Sequence, residues 1–115
     1  MKDEKIQTTK EDVKPMPTSD EIKYLINGII DEYNEQIAEQ KKKHGTKVNI
    51  GKRVFAKNYF EKLLKKEEMP TQEDFKTMTM SVYERLYKKP KSLIERNGLE
   101  EVWMCLQRFN RLFEN

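Results

Sequence analysis

Ten basic residues lie between positions 41 and 66, where Glu61 is the only acidic residue. Lysine and arginine side chains neutralise phosphates, and several such contacts give salt-dependent, sequence-tolerant binding of nucleic acid. The chain has 18 lysines and 5 arginines, which disfavours reading of bases because arginine makes the commonest bidentate contact to guanine. The predicted phosphate-binding residues are Lys41, Lys42, Lys43, Lys47, Lys52, Arg53, Lys57, Lys62, Lys65 and Lys66.

The segment before this basic stretch has the opposite charge. Residues 19–40 contain six acidic residues and one basic residue. Asp31, Glu35 and Glu39 recur every four positions and would share one face of a helix. An acidic helix packed beside a basic helix would explain both charge runs without nucleic acid. Both interpretations remain open from the sequence.

Side chains for covalent or metal chemistry are few. His44 and Cys105 are the only histidine and cysteine, which leaves no disulfide framework, no Cys-rich zinc site and no good Ser/His/Asp arrangement. The four glycines are isolated, so no phosphate-binding glycine loop is present. The carboxylates of residues 31–39 come from one helix and offer few convergent oxygens for a metal ion. We therefore expect no enzyme activity, no cofactor, no metal and no small-molecule substrate.

The composition is that of one small domain. The 115 residues are 36% hydrophobic and 37% charged, with a mean hydropathy of −0.97, so the core must be thin. The apolar stretch 24–30 is too short to cross a membrane, and residues 1–14 lack the apolar region of a secretory signal. A lone cysteine fits a reducing compartment. These features predict a cytoplasmic protein, or one in a host cytoplasm or virion, and the general look is that of small helical proteins of phages and mobile elements.

Helical periodicity and capping residues predict an all-α protein. Residues 1–18 carry four positive and four negative charges without apolar periodicity and are expected to form a disordered tail before a single helical domain at 19–115. Helices are predicted from about Ser19 to Lys43, from 49 to 66, and from Thr71 to the Lys88–Pro90 stop. The predicted N-caps are Thr18 or Ser19, Thr71 and Ser92, and Gly45 is the predicted stop of the first helix. Ser92 would start a short helix, and a turn at Asn97–Gly98 would precede the last one. The predicted fold is a small bundle or orthogonal assembly of four to five helices.

Apolar residues at helical spacing predict the core. The aromatics at 55, 59 and 60 are interleaved with basic residues and could stack on bases, but core packing is favoured for them. Core filling is also favoured for Met78, Met80 and Met104 over a partner groove, and Cys105 is expected to be a small buried residue. The predicted core is Ile22, Leu25, Ile26, Ile29, Tyr33, Phe55, Phe60, Leu63, Phe75, Met78, Val82, Leu86, Trp103, Leu106 and Phe109.

The segment 92–99 has the outline of a helix-turn-helix with Gly98 in the turn. Glu100 and Glu101 would place carboxylates against phosphates, so an ordinary helical corner is favoured. Two functions follow from these patterns. The favoured one is a non-enzymatic protein-binding module, an adaptor, inhibitor or assembly factor, which docks a partner or a second copy through its charged hairpin or an exposed apolar helix face. The alternative is a nucleic-acid-associated protein that contacts phosphates through residues 41–66.

Overall fold

The computed structural model describes residues 16–114 and contains four α-helices. The predicted tail at 1–18 therefore lies mostly outside the described residues. No strand is present in residues 16–114, which confirms the all-helical prediction. The helices are α1 at Ser19–Lys42, α2 at Lys47–Leu64, α3 at Gln72–Tyr87 and α4 at Leu93–Leu112.

Each helix begins at a hydroxyl N-cap. The cap's side-chain oxygen accepts a hydrogen bond from the backbone N–H three residues later, at 3.1 to 3.2 Å, which satisfies a donor that the helix leaves unpaired. In α1 and α3 a carboxylate returns the bond to the cap's own N–H. This confirms the predicted caps, and it adds one at position 46. The four caps are Thr18, Thr46, Thr71 and Ser92.

The first helix ends in a left-handed residue. His44 has a φ of 56°, and the N–H groups of His44 and Gly45 return to the carbonyls of Lys41 and Gln40 at 3.2 and 2.7 Å. This is a Schellman ending, in which the left-handed position usually belongs to glycine. Gly45 was predicted to stop α1, but it lies one position beyond the residue with positive φ.

The predicted turn at Asn97–Gly98 is wrong, because α4 runs through both residues without a break. Gly98 is buried, and a Cβ added there would lie 2.5 Å from the ring of Phe55 on α2. Gly51 on α2 has the reciprocal position, since its Cβ would lie 2.7 Å from the side chain of Ile94. The two glycines let α2 and α4 pack closely. Residues 16–114 therefore form four helices, and the helix-turn-helix at 92–99 is excluded because this segment is continuous with α4.

The order of contacts along the helices defines the bundle. Gly51 lies against Ile94, and Phe55 lies against Gly98. The rings of Phe60 and Phe109 stack further along, so α2 and α4 run parallel. Helix α3 is antiparallel to α4, since Phe75 stacks on Phe109 with ring centroids 4.7 Å apart and Arg85 meets Glu95. Helix α1 packs on α2. Helix α2 is therefore central, with every residue from 50 to 64 except 58 and 62 at least partly buried.

Most of the predicted core is buried, with five exceptions. Leu25 is 37% exposed, whereas Phe55, Met78, Leu86 and Trp103 are half-buried and pack against the core from its edge. Cys105 is buried, as predicted. The predicted core omitted several residues that are buried: Ile30, Ile37, Ala56, Leu99, Val102 and Phe113.

We expect Gly98→Ala to lower the free energy of unfolding by about 1–3 kcal/mol, because the added methyl group overpacks the α2–α4 contact. Gly28→Ala is the matched control, since a Cβ at Gly28 meets no atom within 4 Å. Alanine is the better helix former, so the control should gain about 1 kcal/mol. Urea unfolding followed by circular dichroism measures both. Equal effects of the two substitutions would contradict the close packing at Gly98.

Candidate interaction surfaces

The predicted phosphate-binding lysines at the connection between α1 and α2 are mostly exposed. Lys41, Lys42 and Lys47 are exposed and form no salt bridge with any residue of 16–114. The Nζ of Lys43 lies 2.8 Å from Glu39 one helical turn earlier, and this hydrogen bond lowers the pKa of the Glu39 carboxyl. The connection thus presents three free cations at one end of the bundle.

Two of the three basic residues in the middle of α2 have partners within the protein. The Nζ of Lys52 lies 3.5 Å from Glu101 on α4. Arg53 donates hydrogen bonds to the side chain of Gln36 at 2.8 Å and to the carbonyl of Asn49 at 2.9 Å. Lys57 is half-buried. Lys52 and Arg53 thus connect α2 to its neighbours. With Lys57 partly buried, the middle of α2 leaves little positive charge exposed to phosphates.

The remaining lysines lie at the far end of α2. Lys62, Lys65 and Lys66 are exposed, and the helical rise places Lys65 about 27 Å from Lys47. The ten predicted residues thus form two exposed clusters, with partly buried residues between them. Their binding of phosphate stays a prediction.

Within residues 16–114 no salt bridge joins the acidic face of α1 to the basic residues of α2, although the pKa of Glu39, lowered mainly by Lys43, is lowered further by the charge of Arg53. The four salt bridges in this part of the chain lie within α1, within α4, between α2 and α4, and between α3 and α4. The two helices are neighbours, as the hairpin interpretation requires, but their polar contact is Arg53 with Gln36. The proposed pairing of acidic and basic helices is therefore not what holds the hairpin.

No three His, Cys, Asp or Glu side chains converge on a possible metal site within residues 16–114. None of the helices formed by these residues is long and apolar enough to span a membrane. Phe60 is fully buried, whereas Phe55 and Tyr59 are half-buried against the core. Phe60 therefore lies in the core, and Phe55 and Tyr59 pack against it, as the favoured interpretation expected.

A small polar network lies inside the bundle around Tyr33. The Tyr33 hydroxyl donates to Glu101 at 2.8 Å and lies 3.4 Å from the Sγ of Cys105. Arg108 donates to the same sulfur at 3.7 Å, and this hydrogen bond raises the pKa of Arg108. With Lys52 on Glu101, the network joins α1, α2 and α4. Its groups satisfy one another, which assigns them a structural role.

Burial, followed by the contacts with Cys105 and Glu101, raises the pKa of the Tyr33 hydroxyl above its ordinary value of 10.0. Above pH 10.0 the folded chain therefore keeps the proton of the Tyr33 hydroxyl, whereas the unfolded chain loses it. The stability contribution is complete below pH 10.0 and falls by about 1.4 kcal/mol per pH unit above it. Tyr33→Phe should show a shallower decline in urea unfolding across this range. Identical slopes in the two proteins would contradict the role of this hydroxyl.

An apolar face without a partner lies between α3 and α4. We define the α3–α4 face by the residues that line its groove of about 390 Å³, which are Tyr83, Leu86, Tyr87, Glu100, Trp103 and Met104. Tyr87 is 82% exposed, Tyr83 52% and Met104 51%. Met80 precedes Tyr83 by one turn and is 60% exposed. The expectation that Met80 and Met104 fill the core is therefore wrong.

The sequence analysis considered a partner groove for Met80 and Met104 but favoured core filling, and the reason for this error is physical. Helical spacing places Tyr83 and Trp103 on apolar stripes, but the spacing does not tell whether another element covers the stripe. Among the described helices α3 contacts only α4, so apolar residues of α3 such as Met80, Tyr83 and Tyr87 stay exposed.

A second groove, of about 380 Å³, lies between α1 and the end of α4. Leu25 and Leu112 on its walls are 37% and 38% exposed, and Tyr24 is 78% exposed. Asp31 and Glu32 also line it. We call it the α1–α4 groove and define it by Tyr24, Leu25, Gly28, Arg108, Phe109 and Leu112.

The comparisons with known proteins gave no match, whether to a family model, a curated protein or a solved structure. Residues 16–114 form a four-helix fold with two partly exposed apolar grooves.

Proposed function

We propose that this protein is a non-enzymatic protein-binding module that docks a partner through the α3–α4 face. The observation that carries the proposal is the grouping of Tyr83, Tyr87, Trp103 and Met104 in one groove, with the two tyrosines and the methionine more than half exposed. Tyrosine, tryptophan and methionine are enriched in protein interfaces, and the aromatic residues often supply most of the binding energy. Their exposure costs stability in the free protein and favours association.

The support behind this face is rigid. Phe75 on α3 stacks on Phe109 of α4 with an interplanar angle of 5°, and Asn110 donates to Thr79 across the same two helices at 2.7 Å. A salt bridge between Arg85 and Glu95 ties their other ends at 3.4 Å. A preorganised surface loses less conformational entropy on binding, which favours affinity.

The lining of the groove suits binding better than catalysis. Glu100 is its one acidic or basic residue, and the carboxylate already lies 3.5 Å from Arg96. The lining holds no histidine, cysteine or serine that could act as base or nucleophile. Apolar contact with a partner is what these side chains offer.

We expect Tyr87→Ser combined with Met104→Ser to lose the partner in affinity capture from the cells that make the protein, by about tenfold or more. Met16→Ser is the matched control, because Met16 is 55% exposed and lies outside the α3–α4 face. Both variants should keep the helical circular dichroism. A set of captured proteins that is the same for the double variant and the wild type would contradict the proposal.

A second candidate function is phosphate binding at the α1–α2 connection, favoured by the free cations at 41, 42 and 47. Changing Lys41, Lys42, Lys43 and Lys47 to Glu should abolish binding of random duplex or single-stranded oligonucleotides in fluorescence anisotropy. Binding by the wild type should weaken by orders of magnitude between about 50 and 200 mM salt. The control carries Glu at 62, 65 and 66, where the second lysine cluster lies. Unchanged binding by the first variant would overturn this candidate.

A further inference from the structure

The α1–α4 groove contains a glycine that the folded chain does not need. Gly28 lies in the middle of α1, where glycine lowers the helix equilibrium constant about fivefold relative to alanine. A Cβ at this position would meet no atom within 4 Å, whereas those at Gly51 and Gly98 would collide with side chains of the opposite helix. Intramolecular packing therefore explains Gly51 and Gly98 but not Gly28.

The surroundings of Gly28 are those of a docking groove. Tyr24 and Leu25, one turn earlier on α1, face Leu112 across the groove, and all three are exposed. A glycine on the floor lets the backbone of an incoming segment approach closely. Exposed apolar walls beside such a floor fit the ridge of side chains along an amphipathic helix.

The charge around the groove selects the partner. Asp31 and Glu32 line it, and neither forms a salt bridge within residues 16–114. Two further carboxylates, Asp20 and Glu21, border Tyr24 and Leu25 at the start of α1, where Glu21 also accepts a hydrogen bond from the backbone N–H of Thr18. Arg108 is the one basic residue in the lining, and its pKa is raised first by its hydrogen bond to Cys105 and also by the nearby carboxylate of Glu32. The carboxylates still outnumber this single cation. The rim is acidic, so a basic segment is electrostatically complementary to it.

We propose that the α1–α4 groove binds a basic amphipathic helix of a partner protein, with its closest approach at Gly28. The groove shares no residue with the α3–α4 face, so the site is additional to the function proposed above. A protein with both surfaces could hold two partners on opposite sides of α4, as an adaptor does.

The test uses variants that fill the groove without harming the fold. Gly28→Leu adds a side chain where the structure has open space and replaces glycine by a better helix former, so we expect it to fold more stably than the wild type. Asn34→Leu is the matched control, because it adds the same side chain to an exposed position of α1 outside the groove. The α3–α4 face variant, Tyr87→Ser with Met104→Ser, separates the two surfaces.

A displayed library of helical peptides is selected on the full wild-type chain, and the affinities of the selected peptides for each variant are then measured. We expect a class of peptides enriched in lysine and arginine that binds Gly28→Leu at least about tenfold more weakly and binds both other variants as it binds the wild type. If the peptides that bind Gly28→Leu more weakly are not enriched in lysine and arginine, the proposal that the partner is basic is wrong. The proposed site would be overturned if every selected peptide bound Gly28→Leu as tightly as the wild type. It would also be overturned if the selection yielded no peptide. Loss of binding only in the α3–α4 face variant would support the proposed function and reject this inference.

Discussion

The close packing of α2 against α4 is the constraint on which the rest of the bundle depends. Gly51 leaves room for Ile94, and Gly98 leaves room for the ring of Phe55, so the two backbones approach where larger residues would hold them apart. The pair sets the register that brings Phe60 to Phe109 further along. Helix α1 then packs on one side of α2 and α3 packs on α4. A glycine inside each helix weakens that helix locally, and the packing that it permits offsets the loss.

The central place of α2 also decides what its charges can do. A helix with neighbours on two sides cannot present a continuous basic surface, so Lys52 and Arg53 make contacts inside the protein and the exposed lysines divide between the two ends. Within residues 16–114 the carboxylates of α1 form no salt bridge with α2. The interface between these two helices is filled mainly by apolar side chains of the core. The exposed residues of the acidic and basic segments are thus not neutralised by salt bridges between α1 and α2.

Helix α4 borders both apolar surfaces. Its Trp103 and Met104 belong to the α3–α4 face, whereas Phe109 and Leu112 lie in the α1–α4 groove. One helix packed against α2 therefore borders two separate partly exposed apolar surfaces. Proteins that carry exposed apolar patches of this kind usually bind partners through them, which is why binding is the function best supported by the surface.

The sequence by itself determined the helical class, the positions of three caps and most of the buried residues. These depend on local chemistry: a hydroxyl at Thr18, Thr71 or Ser92 caps the N–H three residues later whatever the rest of the chain does, and the 3.6-residue period marks one apolar face. Only the tertiary structure decided that α4 continues through Gly98. In the sequence this glycine indicates a turn, whereas in the fold it makes room for the ring of Phe55, which comes from another helix. It also decided which apolar stripes stay uncovered and which lysines stay free, since both depend on how many neighbours each helix acquires.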